Sequence, residues 1–102
     1  MDRLKINELI WQAVASIPKG KVVTYGQIAK LSGYPGLARY VGLTLKNLPS
    51  NTTLPWHRVI NAKGEISFPQ GSPEYKRQKA LLKAEGVIFN KAKLPAGIYD
   101  WL

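Results

Sequence analysis

The sequence predicts a mainly α, winged helix-turn-helix-like domain with a small β-hairpin. Three observations carry that expectation. In residues 4–17 apolar side chains recur at spacings of three and four, which is the period of an amphipathic helix. Two short helical stretches then follow each other across the glycine-containing turn Ser32-Gly33-Tyr34-Pro35, the signal of a helix-turn-helix. Two short extended pieces flank Asn61-Ala62-Lys63-Gly64, as a wing would. The 102 residues show no repeat, low-complexity run or linker, so residues 1–102 are expected to form one domain. A chain of this size buries roughly two-thirds of its unfolded surface, enough for one modest core.

Each element has a local cause. In the first helix Ile6, Leu9, Ile10, Ala13, Val14 and Ile17 form the apolar stripe, and Pro18 and Gly20 end it. Val22-Val23 reads as a short extended piece. Thr24 followed by Gln27 is a capping box that starts a helix running to about Leu31. The second helix of the pair is expected from about Gly36 to Leu48, with Leu37, Val41, Thr44, Leu45 and Leu48 on one face and Arg39, Gly42, Leu43 and Lys46 on the other. After Pro49 and a polar loop, Arg58-Val59-Ile60 and Glu65-Ile66-Ser67 should pair as the hairpin. Ser72 then caps a helix with Pro73 at its first position; Tyr75, Gln78, Leu82 and Glu85 lie along one side, and Gly86 stops it. The apolar tail, Val87, Ile88, Phe89, Ile98, Trp101 and Leu102, is expected to pack back on the domain.

Composition narrows the function. Lys and Arg total 15 against 6 acidic residues, a formal net charge of +9. That excess on a small domain favours a polyanionic partner, nucleic acid ahead of an anionic membrane or a protein, against the plainer reading of a merely basic soluble protein. No apolar run approaches the ~18 residues of a membrane span, and the N-terminus lacks the apolar core of a signal peptide. The sequence holds no cysteine and one histidine, so disulfides, thiol nucleophiles and thiolate metal sites are excluded. An intracellular protein without cofactor or metal is the plain expectation.

The second helix is unusual in its outward face. Gly36, Ala38 and Gly42 are small, and a glycine inside a helix costs about 1 kcal/mol relative to alanine. Either the face packs closely on a neighbouring helix or it enters a DNA groove. On the second reading Arg39 projects from the middle of the approaching face and Lys46, two turns on, meets a phosphate. Helix-turn-helix logic alone would put it in the major groove.

The stretch Leu54-Pro55-Trp56-His57-Arg58-Val59-Ile60 holds that one histidine. Histidine with a carboxylate, here Glu85 on the later helix, is the base half of a nucleophilic triad. Trp56 cannot be the nucleophile, because a neutral indole has one N–H donor and no ionisable group near pH 7. One histidine without cysteine leaves too few ligands for zinc. Taken bare, Trp56 and His57 read more readily as structural than as catalytic.

Three motifs together carry a resemblance. "TYGQIA" (24–29), "ARYVG" (38–42) and "PWHRVI" (55–60) resemble, in order, motifs of the C-terminal DNA-binding domain of the O6-alkylguanine-DNA alkyltransferases. That family reads Pro-Cys-His-Arg-Val at its active site, and here tryptophan replaces the cysteine. The chain therefore resembles the alkyltransferase-like proteins, which keep the DNA machinery and lack the acceptor thiol. The match covers roughly residues 4–90.

The resemblance implies a specific function. It implies a non-enzymatic sensor of O6-alkylguanine in double-stranded DNA that binds by the minor groove, flips the damaged nucleotide and flags it for nucleotide excision repair, through UvrA-type proteins in a bacterium. Gly36, Ala38 and Gly42 then allow the close approach. Arg39 fills the vacated place in the duplex, Lys46 stays on the phosphates, and Tyr25 pushes on the phosphate of the flipped nucleotide and lines the pocket. Trp56, the Val59 backbone and Ser67 belong to the lesion pocket, and His57 and Glu85 become its hydrogen-bonded support, with no catalytic residue. The loop "ISFPQGSPEY" departs from the enzymes in length and content and should shape the pocket mouth. The expected protein is monomeric, acts on no membrane, and is cytoplasmic in a bacterium or nuclear in a eukaryote. Two other readings stand beside this one. One is a hydrolase using His57 and Glu85 to activate water. The other is a sequence-specific winged-helix transcription factor, which would prefer a DNA sequence over a lesion.

Overall fold

A computed structural model describes residues 3–89 of the chain. The order is α1 (Arg3–Ala15), β1 (Val23–Thr24), α2 (Tyr25–Leu31), α3 (Ala38–Lys46), a 3₁₀ turn (Trp56–Arg58), β2 (Val59–Ile60) and α4 (Pro73–Ala84). The mainly helical, helix-turn-helix-like class follows as expected.

Helix α1 buries Ile6, Ile10 and Val14, one residue per turn, and Ile17 just beyond its end is buried too. The capping box of α2 forms in full: the Gln27 N–H donates to Thr24 Oγ1 at 3.1 Å and the Thr24 N–H to Gln27 Oε1 at 2.8 Å. Such a cap contributes about 1 kcal/mol and fixes where Tyr25 enters its helix. α3 packs on α2, and α2 on α1. Tyr40 of α3 also donates its hydroxyl to Asn7 Oδ1 of α1 at 2.7 Å. On α3 Val41 is buried, Leu37 and Leu45 lie against the core, and Arg39, Leu43 and Lys46 are exposed, as the helical wheel requires. α4 starts with Ser72 accepting the Tyr75 N–H and Pro73 at N1, and stops before Gly86, whose φ of +88° ends the helix.

The sheet departs from the expected hairpin. Its two strands are β1 and β2, paired in parallel with Val23 opposite Val59 and Thr24 opposite Ile60. Alternation across this short ladder divides the core. Val23 and Val59 face a cluster with α1, α2 and α3, whereas Val22 and Ile60 face a second cluster with Ile66, Tyr75, Leu82 and Val87. Beyond β2 the chain does turn at Asn61–Gly64: Asn61 Oδ1 accepts the Lys63 and Glu65 N–H groups, and the Asn61 N–H donates to the Glu65 carbonyl. Pairing stops at that single bridge, because Ile66 drops into the second cluster and the chain leaves the β2 edge.

Two further boundaries are corrected. α3 begins at Ala38, not Gly36, because Gly36 sits at φ +98°, outside any right-handed helix. Its glycine serves the turn, and only Gly42 is a glycine within α3. In the tail, Val87 is buried and Phe89 packs on the second cluster, but Ile88 is 75% exposed. Ile98, Trp101 and Leu102 lie outside the described residues. No helix among the described residues is long and apolar enough to cross a membrane.

Candidate nucleotide-binding cavity

The first turn of α2, the outward face of α3, the 3₁₀ turn, the turn after β2 and the loop after Ile66 line an open cavity of about 660 Å³. That size lies within the ~300–1,000 Å³ range of small-molecule sites. Seven expected site residues line it together: Tyr25, Ala38, Arg39, Gly42, Lys46, Trp56 and Ser67. Tyr25 is aimed there by the capping box, and a Cβ on Gly42 would stand 3.9 Å from its ring. The Tyr25 and Ser67 hydroxyls share a hydrogen bond of 2.7 Å, which ties α2 to the loop across the mouth. Burial pushes the Tyr25 phenol pKa up, against the opposing pull of the Ser67 bond. Tyr25 is therefore a neutral hydrogen-bonding group, compatible with an anionic backbone.

Trp56 supplies an aromatic wall. Its ring meets Phe68 edge to face at 6.5 Å and 86°, and His57 at 6.0 Å and 87°. The Arg77 guanidinium lies 5.7 Å from its centroid. The rest of the 3₁₀ turn is fastened behind this wall. His57 Nε2 lies 2.7 Å from Glu85 Oε2. Arg58 donates Nη2–H to Glu85 Oε2 at 2.7 Å, Nε–H to Oε1 at 3.0 Å, and Nη1–H to the Ile17 carbonyl at 2.7 Å. The Gly20 N–H donates to Glu85 Oε1 at 3.0 Å. Burial works against the Glu85 charge, but the bonds from Arg58, Gly20 and His57 outweigh it and hold the carboxyl pKa down at about 2. One carboxylate thus binds the Gly20 turn and the 3₁₀ turn to the C-terminus of α4, and Arg58 carries the link on to Ile17 beyond the end of α1.

Four expected residues stand apart from the lining. Gly36 is exposed in the turn before α3. Val59 is buried, its N–H donating to the Trp56 carbonyl and its carbonyl accepting Gln78 Nε2–H at 3.0 Å. His57 and Glu85 sit behind Trp56 in the network just described, as a support would. Reading the sequence missed Arg58, the two-point partner of Glu85, although it stands inside the "PWHRVI" motif. It missed the role of Gln78, which fixes the His57 and Val59 carbonyls from α4. It also left Phe68 without a role, and Phe68 lines the cavity beside Trp56. Aromatic character in an otherwise polar loop was the available signal. Among the described residues no cluster of His, Asp or Glu could hold a metal ion.

The comparisons agree with this architecture. The family model described as 6-O-methylguanine DNA methyltransferase, DNA binding domain, matches residues 5–87. A DNA base-flipping protein of Escherichia coli (strain K12) is 54% identical over 93 residues, 90% of this chain and 70% of that protein. Alkyltransferase-like protein 1 of Schizosaccharomyces pombe is 50% identical over 85 residues, 83% of this chain and 79% of that one. The crystal structure of S. pombe Atl1 in complex with damaged DNA containing O6-carboxymethylguanine matches with a TM-score of 0.88 at 41% identity, covering 100% of this chain and 99% of that chain. With its motifs, its fold and a tryptophan in the place of the cysteine, the chain belongs to the 6-O-methylguanine DNA methyltransferase DNA-binding domain family, among its alkyltransferase-like members.

Proposed function

We propose that this protein recognises O6-alkylguanine in double-stranded DNA, flips the damaged nucleotide into the cavity beside Trp56, holds it without accepting its alkyl group, and marks it for nucleotide excision repair. The observation that carries this reading is the convergence of Tyr25, Arg39 and Trp56 on one cavity, with an indole at the family's cysteine position.

Several features of the cavity and of α3 support this reading. The face of α3 carries the small residues Ala38 and Gly42 together with the cations Arg39 and Lys46, so it can approach closely while charge neutralises phosphates. Close approach without bulk suits the minor groove, and backbone contacts there are indifferent to sequence. Flipping a base costs a few kcal/mol, and less when alkylation has already weakened its pairing. Arg39 enters the gap and replaces lost stacking and hydrogen bonding. Tyr25 sits where the flipped phosphodiester must turn, as a neutral group that a phosphate does not repel. The base then stacks or wedges against Trp56, and Ser67 closes the mouth through Tyr25. Alkyl transfer would need a nucleophile at position 56. The indole offers only a donor N–H, so the lesion is bound unchanged.

A duplex with a radiolabelled methyl group on one O6-methylguanine tests the core of this. Preferred binding over an undamaged duplex of the same sequence, with the label staying on DNA, is the expected result. Label on the protein, or release of free alkyl product, would contradict the non-enzymatic role, and equal binding of both duplexes would contradict lesion recognition. The handover is tested separately, by asking whether the lesion-bound protein retains a UvrA-type recognition protein that undamaged DNA with this protein does not.

A further inference from the structure

Behind the Trp56–Phe68 pair lies a second cavity, of about 290 Å³. Leu45, Lys46, Trp56 and Phe68 line both cavities, so these four side chains form the partition between them. The two aromatic rings meet edge to face at 6.5 Å, and Phe68 is half-buried, so the partition between the cavities is one ring edge deep at this seam. Past the seam the lining changes character. Leu48 and Pro49 extend the apolar surface, and then Arg77, Glu74 and the hydroxyls of Ser50 and Thr52 follow. Arg77 stacks over Trp56 at 5.7 Å, and among the described residues it forms no ion pair.

We propose that this second compartment is a subsite for the distal end of long O6 substituents, and that Arg77 selects those that end in a carboxylate. The inference rests on the reading above, in which the first cavity takes the flipped guanine. Position 56 is where the enzymes of the family present the sulfur that attacks the alkyl carbon. An O6 substituent held in the first cavity therefore points at Trp56. A methyl group ends there. A longer chain must continue, and the seam between Trp56 and Phe68 leads it to the second cavity along continuous apolar surface. A terminal carboxylate then arrives at two cations, Arg77 and Lys46, against the single carboxylate of Glu74. Arg77 is the more specific of the two, because its planar fork is already oriented by the Trp56 ring.

The test compares duplexes identical except at one guanine, which carries O6-methyl, O6-hexyl or O6-carboxypentyl. The hexyl and carboxypentyl groups match in length, so the ratio of their affinities isolates the terminal charge from all other DNA contacts. Fluorescence anisotropy titrations are run on the wild type, Arg77→Gln and Phe68→Trp. Arg77→Gln should lower the carboxypentyl-to-hexyl affinity ratio roughly three- to fivefold, as expected for loss of one partly exposed ion pair. The methyl-to-undamaged ratio should not move. Phe68→Trp enlarges the ring at the seam and should weaken both long substituents relative to methyl. An unchanged carboxypentyl-to-hexyl ratio in Arg77→Gln overturns the selection by Arg77. Unchanged long-to-methyl ratios in Phe68→Trp overturn the route past the seam. A wild type without preference for O6-methylguanine over undamaged duplex instead overturns the underlying reading.

Discussion

Glu85→Gln separates the support of the cavity wall from every other ionisable group in the protein. In the native state the Glu85 carboxyl pKa is held at about 2, down from 4.5. At about 1.4 kcal/mol per pH unit, that displacement is worth about 3 kcal/mol of folding stability. The Arg58 and Glu85 side chains are 16% and 11% exposed, so solvent reaches the pair at one edge and about 3 kcal/mol is the upper end of its worth. The sign follows from the direction. A depressed carboxyl contributes in full above 4.5 and progressively less as the pH falls towards 2, where the folded state also takes up the proton. Glutamine keeps the shape but removes the charge, leaving Arg58 with the Ile17 carbonyl and a weakened partner. At neutral pH the variant should be less stable by up to about 3 kcal/mol, the low end for a broken buried ion pair. Urea denaturation curves followed by tryptophan fluorescence, taken from neutral pH downwards, measure both effects. The wild type should lose its advantage over Glu85→Gln as the pH falls, so that the two curves converge at strongly acidic pH. Parallel loss of stability in the two proteins would refute the assigned network, because every other carboxyl titrates alike in both.

Three further substitutions address the DNA face. Arg39→Ala should reduce affinity for an O6-methylguanine duplex by about tenfold or more, equivalent to ~1.4 kcal/mol, and reduce affinity for undamaged DNA much less; equal losses in a competition assay would deny Arg39 its place in the vacated stack. Tyr25→Ala should suppress the signal of a fluorescent base analogue placed at the lesion while leaving non-specific binding nearly intact, and an undiminished signal would remove Tyr25 from flipping. Gly42→Ala should pull stability and binding in opposite directions. Its new Cβ would stand 3.9 Å from the Tyr25 ring, an ordinary contact, so thermal denaturation should show a gain of up to about 1 kcal/mol from helix propensity. The same methyl would stand on the face proposed to approach the groove, so duplex affinity should fall; unchanged affinity would show that α3 does not approach DNA at Gly42.

What the sequence disclosed, and what it hid, divides by range. The caps of α2 and α4 are contacts over three residues, Thr24 with Gln27 and Ser72 with Tyr75, and both were legible because the chemistry is local. The strand pairing was not. Val59–Ile60 is two residues long, too short for its pattern to name a partner, and the parallel ladder to Val23–Thr24 depends on how α1 and α4 cover its two faces. Gly36 was misplaced for a different reason: a small residue before a helix reads the same whether it allows close approach or adopts φ +98°. Half of the residues lining the cavity stand in the three motifs, which fix them in order along the chain. The role of Arg58 was not legible, since its partner Glu85 lies 27 residues away and nothing local marks the pair. Phe68 was hidden because its neighbour across the seam, Trp56, comes from another segment.

The position of Arg58 also explains why His57 and Glu85 persist beside a residue that cannot use them. In a thiol enzyme the pair would serve ionisation of the nucleophile, and its survival without one could suggest a hidden activity. The bonds argue otherwise. Glu85 receives two donors from Arg58 and one from the Gly20 backbone before His57 is counted, and Arg58 reaches on to the Ile17 carbonyl. Loss of that carboxylate would release the Gly20 turn and the 3₁₀ turn from the C-terminus of α4, whatever stands at position 56. His57 in turn is fixed at both ends, by Glu85 through its ring and by Gln78 through its carbonyl. With Glu85 ionised, the 2.7 Å bond requires the proton on Nε2, so the ring nitrogen facing the carboxylate acts as a donor to it and not as a free base. The network holds the 3₁₀ turn, and that turn carries the Trp56 ring into the wall of the cavity, where on the proposed reading a flipped base would meet it.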